Sequence, residues 1–110
     1  MERALRASER LHTPHLVDLE IVHTLRRLVQ RKEITILRAE QAIDDLGQLV
    51  IARHGHEALR LRIWQLRDSH TAYDGAYIAL AEALDAPLVT CDARLARAHG
   101  HQAAIELIEI

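Results

Sequence analysis

The chain has 110 residues, enough for one small domain and too few for two. Hydrophobic residues make up 49%, charged residues 27%, and the formal net charge is −2, an ordinary globular composition that excludes a protein coating nucleic acid by bulk charge, so any RNA contact is local. No apolar run is long enough to span a bilayer, no signal peptide is visible at the charged Met1–Arg10 segment, and the single Cys91 cannot close an intramolecular disulfide, so a reducing cytoplasm and no membrane are expected.

Met1 to Arg10 is a good helix former with no hydrophobic entry. Leu11-His12 reads as a short strand, and Pro14 fits the first turn of a helix with Thr13 as its cap. That helix is expected to run to about Gln30, with Val17, Ile21, Val22, Leu25, Leu28 and Val29 on one side at helical spacing. A second helix is expected from Thr35 to about Leu46, burying Ile36, Leu37, Ala39, Ala42, Ile43 and Leu46, with Gly47 as its stop. Leu49 to Ala52 is a β-prone run, left by a turn at His54-Gly55-His56. Glu57 to Arg67 predicts a third helix carrying Leu59, Ile63, Trp64 and Leu66, and Asp68-Ser69-His70 breaks it.

The stretch from Thr71 to Arg94 organises the rest. It predicts an Ala-rich helix to Leu84, a turn at Asp85-Ala86-Pro87, and a strand over Leu88–Cys91. The strand is continuously apolar, as in a sheet covered on both faces. A short helix from Asp92 to about Ala98, a turn at His99-Gly100-His101 and a last strand over 105–110 complete the chain. Helices alternate with short apolar strands, so the expected class is α/β with a parallel sheet, as a single domain over 1–110.

Two acids bracket the helix–strand unit. Asp74 stands in the first turn of its helix, where the dipole favours a carboxylate. Asp92 stands just past a strand, the end at which sites gather in open α/β sheets. Facing one cleft, they form a hard, oxygen-rich site suited to Mg²⁺ or Mn²⁺. Both also have structural readings. Thr71-x-x-Asp74 resembles a capping box with Asp in place of Glu, and Asp92 is a plausible N-cap. In the Pro14–Gln30 helix the wheel puts Asp18 near the apolar side and Glu20 at its flank. On pattern, Asp18 is the unusual acid and Glu20 belongs to a solvated face.

Other chemistry finds little support. The pairs His54/His56 and His99/His101 flank glycines in turns and do not supply the three or four ligands a zinc site needs. The four glycines are isolated, so there is no phosphate-cradling loop. Cys91 in a covered strand is expected to be inert.

Three segments resemble the PIN-domain ribonucleases of the VapC toxin type. Pro14-His15-Leu16-Val17-Asp18-Leu19-Glu20, followed by Leu25-Arg26-Arg27-Leu28, is similar to the family's second-acid helix. Thr71-Ala72-Tyr73-Asp74-Gly75-Ala76-Tyr77-Ile78-Ala79-Leu80-Ala81 resembles its most specific motif. Pro87-Leu88-Val89-Thr90-Cys91-Asp92-Ala93-Arg94-Leu95 resembles its fourth-acid segment, and Trp64-Gln65-Leu66-Arg67 also fits.

The resemblance implies a three-layer sandwich of helices around a parallel sheet. It implies a toxin-type endoribonuclease that cuts RNA with Mg²⁺ or Mn²⁺ and is neutralised by a cognate antitoxin. It gives Glu20, Asp74 and Asp92 the positions of the family's acids, as catalytic and metal-holding residues, with Thr71 and Thr90 as neighbouring polar candidates. Glu20 thereby displaces Asp18. In the family the first strand is central and ends in a metal-binding Asp, whereas the match here starts inside the following helix, at Met1-Glu2-Arg3-Ala4-Leu5. The expected sheet therefore lacks its first central strand, and weak metal binding, weak cleavage and a homodimer are expected of these residues. The alternative is a catalytically inactive binding module that keeps antitoxin or self-association surfaces.

Overall fold

The computed structural model describes residues 11–90 and 100–107, the side chains of Thr90 and 105–107 excepted. The expected Met1–Arg10 helix, Cys91, the Asp92–Ala98 helix and the end of the last strand lie outside the described residues. The chain divides into two compact units, Met1–Arg53 and His54–Ile110.

The first unit holds β1 (Leu11–Pro14), α1 (Val17–Gln30), α2 (Ile36–Gln48) and most of β2 (Ile51–His54). β1 pairs with β2, and α1 packs on α2. Thr13 and Pro14 are buried residues of β1, not the start of α1. The Thr13 hydroxyl donates to the Pro14 carbonyl instead of capping the helix, and α1 begins after Leu16 with no side-chain cap.

The end of α1 is firmer. The Lys32 N–H bonds the Val29 carbonyl and the Glu33 N–H bonds the Leu28 carbonyl, with Lys32 left-handed at φ 61°. This is a Schellman ending, built without the usual glycine. α2 starts as expected, the Thr35 hydroxyl accepting from the Arg38 N–H at 3.0 Å. It runs through Gly47 to Gln48, and Gln48 donates to Asp44 one turn back at 3.1 Å. The strand expected at Leu49–Ala52 is displaced accordingly, because Leu49 is the cap of α2. Of the expected α2 core only Ala39 is buried; Ile36 and Leu37 are each 65% exposed.

The second unit holds a single 3-10 turn (Glu57–Leu59), α3 (Arg60–Gln65), α4 (Ala72–Leu84), β3 (Leu88–Thr90) and β4 (Ile105–Leu107). The expected Glu57–Arg67 helix is therefore shorter and irregular at both ends. Its first turn is 3-10, and its last is tightened, the Leu66 N–H bonding both the Arg62 and Ile63 carbonyls, as helix ends commonly are.

α4 is the buried centre. Gly75, Ala76, Ile78, Ala79, Leu80 and Ala81 are all buried, because small side chains let neighbouring elements close in on several sides. Leu59, Ile63, Ala79 and Leu80 form one apolar cluster, and Leu66, Ile78, Leu88 and Ala103 form the other. Asp85 ends α4 at φ 50°, in the same Schellman arrangement, with the Ala86 N–H on the Ala81 carbonyl; Pro87 follows, as it often does after such a stop.

β3 then pairs in parallel with β4, Leu88 opposite Ile105 and Val89 opposite Glu106. Parallel pairing and flanking helices agree with the expected α/β class. β3 is not covered on both faces, however: alternation turns Leu88 into the apolar cluster and leaves Val89 52% exposed.

Candidate active site

α4 places the principal acid. Thr71 takes an extended backbone and its hydroxyl accepts from the Asp74 N–H at 3.1 Å. That is half of a capping box. In the other half the acid's carboxylate reaches back to the cap's own N–H. Among the described residues no hydrogen bond or ion pair uses the Asp74 carboxylate. The structural reading thus accounts for Thr71 and for the Asp74 backbone, but leaves the half-buried carboxylate uncommitted. An ionised carboxylate at a helix N-terminus is stabilised by the dipole and is acceptor-only, so it suits a hard cation.

The helix start is held from below by α3. A Cβ on Gly75 would stand 3.4 Å from Ile63 Cγ2 and 3.9 Å from the Ile63 Cα and carbonyl oxygen. The residue after Asp74 therefore lies directly against the last turn of α3.

Glu20 lies half-buried in the first turn of α1, in the first unit, whereas Asp74 belongs to the second. Asp92 lies outside the described residues, as does the side chain of Thr90. Asp18, the acid the helical wheel singled out, has a structural partner. Arg53 of β2 donates Nε and one Nη to its two carboxylate oxygens, each at 2.8 Å. This fork bond lowers the Asp18 pKa and accounts for an acid near the apolar side of α1.

The histidines form no trio with other ligands among the described residues. His70 and His101 bring their rings to 5.8 Å, and the His101 Nδ1 accepts from the Ala103 N–H at 3.2 Å.

Periodicity did not reveal two features. Arg62 on α3 grips Glu82 on α4, Nε to Oε1 at 2.6 Å and Nη2 to Oε2 at 2.9 Å. Glu82 also accepts from the Gln102 N–H at 2.7 Å, and the Arg62 bond holds its carboxyl below the ordinary glutamate range. Residues twenty apart in sequence carry no local signal of such a pair. The second feature is the Arg67 guanidinium lying 4.4 Å over the Trp64 ring, for which the three-residue spacing on the chain was a usable sign.

No helix among the described residues is long and apolar enough to cross a membrane. A family model described as PIN domain matches residues 1–100. The chain is 43% identical over 106 residues to a VapC ribonuclease of Mycobacterium bovis, covering 96% of this chain and 84% of that one. It is 42% identical over 100 residues to ribonuclease VapC12 of Mycobacterium tuberculosis, covering 91% and 78%. With ribonuclease VapC1 of Mycobacterium tuberculosis it shares 45% over 98 residues, covering 88% and 74%. With its Thr71-capped helix presenting Asp74 and its parallel β3–β4 pair, the chain belongs to the PIN-domain family, in its VapC branch.

Proposed function

We propose that the protein is a toxin-type endoribonuclease, a single domain that cuts RNA in the cytoplasm and is held in check by a cognate antitoxin. The observation that carries this reading is the Asp74 carboxylate, borne on the helix turn that the Thr71 cap fixes and used by no other described group. The similarity to proteins named VapC ribonucleases supports the substrate class.

Asp74, Asp92 and Glu20 are the residues that would hold Mg²⁺ or Mn²⁺. The donor set fits, being all carboxylate oxygen. When bound, such an ion supplies an activated water and neutralises charge developing on the scissile phosphate. The chain's own part is to hold carboxylates ready in ionised form. Thr71 fixes the turn that carries Asp74, the α4 dipole favours the carboxylate's charge, and the Gly75–Ile63 contact keeps that turn from shifting. Thr90, in the strand β3, is the second polar candidate. Self-association into a homodimer is part of the same proposal and is checked by light scattering.

The test is cleavage of total RNA with Mg²⁺ or Mn²⁺ by the wild type and by Asp74→Asn, Asp92→Asn and Glu20→Gln. Loss of cleavage in all three, with the fold retained, supports the reading. RNA left intact by the wild type under every metal condition would replace it with that of a binding module.

A further inference from the structure

The last turn of α3 carries an exposed aromatic ring that the site above does not use. Trp64 is 61% exposed, and it is the chain's one tryptophan. An exposed indole with a guanidinium on one face presents an apolar π-surface and a positive charge together. Arg67 covers one ring face at 4.4 Å and is fixed there by donating Nη1 to the Trp64 carbonyl at 3.1 Å. Arg67 is itself exposed and has no carboxylate partner among the described residues.

The helix that carries the ring holds charge of one sign, with Glu57 before it and Asp68 after it. The segment from Arg60 to Arg67 holds three arginines and no acid. Only Arg62 is neutralised by a described partner, Glu82. Arg60 turns its Nε to the Glu57 carbonyl at 3.2 Å and keeps its charge uncompensated.

The platform stands on the helix that packs against the start of α4. Ile63, the residue before Trp64, lies against Gly75, the residue after Asp74. Trp64 and Asp74 are thus each the chain neighbour of a residue in that helix–helix contact.

We infer that Trp64, with Arg67 stacked on it, is a base-stacking platform for single-stranded RNA, seating a nucleotide beside the phosphate at the Asp74 site. A base has an apolar π-face that stacks on indole or guanidinium, and its phosphate is drawn to the unpaired Arg60 and Arg67 charges. Stacking of this kind tolerates any base and fixes the strand's register without reading sequence. A protein partner also favours exposed Trp and Arg. The basic Arg60–Arg67 segment, on the helix packed against the start of α4, favours RNA. The inference rests on the ribonuclease reading.

The sole tryptophan gives a direct test. A mixed-sequence single-stranded RNA oligonucleotide is titrated into the full chain in EDTA, where binding is seen without cleavage. Inorganic polyphosphate serves as an anion without bases. The RNA is expected to quench Trp64 fluorescence and polyphosphate to leave it nearly unchanged. By fluorescence polarisation of labelled RNA, Trp64→Ala is expected to bind about 5- to 150-fold more weakly, the fold-change that a lost base stack corresponds to. Trp64→Phe is expected to recover most of this, and Arg67→Ala to lose part. With metal added, Trp64→Ala raises KM more than it lowers kcat.

RNA binding with unaltered Trp64 fluorescence overturns the platform and leaves the ribonuclease reading standing. Fluorescence that follows protein concentration and not RNA assigns the ring to a contact between copies and overturns it too. Failure of the wild type to bind any RNA overturns both. The wild-type quenching decides the matter even if a variant fails to fold.

Discussion

Arg62 and Glu82 meet in a two-pronged bond, 2.6 and 2.9 Å long, that ties α3 to α4. The same arginine reaches the Gly100 carbonyl at 3.5 Å, and the same glutamate receives the Gln102 N–H. One pair therefore fastens three segments: both helices and the chain entering β4. The Glu82 side chain is only 15% exposed, so water competes little for it. Glu82→Gln keeps the shape but loses the charge, and is expected to cost about 1–2 kcal/mol, the range for a partly screened bond to a charged group. Its pKa lies below the ordinary glutamate range in the folded chain. The contribution is thus present above the unfolded value and is lost as pH falls through the folded one. Thermal melts of wild type and Glu82→Gln are expected to diverge at neutral pH and converge as the solution becomes strongly acidic.

Asp18 and Glu20 separate under mutation in a way that the helical wheel alone would reverse. Asp18 is engaged by Arg53 at a position open to solvent, where ion pairs contribute little and salt screens them. Asp18→Asn is expected to lower the melting temperature slightly, less so in high salt, and to leave RNA cleavage intact. Glu20→Gln is expected to reduce cleavage. Equal activity losses from the two substitutions would contradict the assignment.

Gly75 is a helix-interior glycine whose added Cβ meets only ordinary contact, 3.4 Å from the Ile63 methyl. Its backbone needs no left-handed conformation, so the entropic cost of glycine is unrelieved. Gly75→Ala is expected to stabilise the chain by about 0.5–1 kcal/mol with activity retained. Gly75→Leu is expected to push α3 from α4 and to lower both stability and cleavage. Chemical denaturation of the two variants checks this.

The order of elements was legible because the apolar periods are clean, and the Thr71 cap stands where its Thr-x-x-Asp signal predicts. Boundaries slipped where tertiary pairing outweighs local preference. Thr13 and Pro14 look like a helix start but are drawn into β1. Gly47 looks like a stop, but the Asp44–Gln48 bond carries α2 past it. Burial of Ile36 and Leu37 followed from a helical stripe, yet a stripe says which side is apolar and not whether anything covers it. In the site, Asp74 was readable from its motif. Nothing local shows that its carboxylate is spared from the capping box, since that depends on which groups surround it. The Asp18–Arg53 pair spans thirty-five residues and is equally hidden from any window of sequence.

The central claim is that the Asp74 carboxylate serves catalysis and not the cap. The most direct measurement is RNA cleavage by Asp74→Asn beside its thermal melt. Asn keeps the backbone N–H that the Thr71 hydroxyl receives, so the helix start survives. The prediction is a melting temperature within a few degrees of wild type and cleavage reduced by at least about 100-fold, since a charged ligand is removed from a metal-dependent site. Cleavage at the wild-type rate by a folded Asp74→Asn chain would contradict the account.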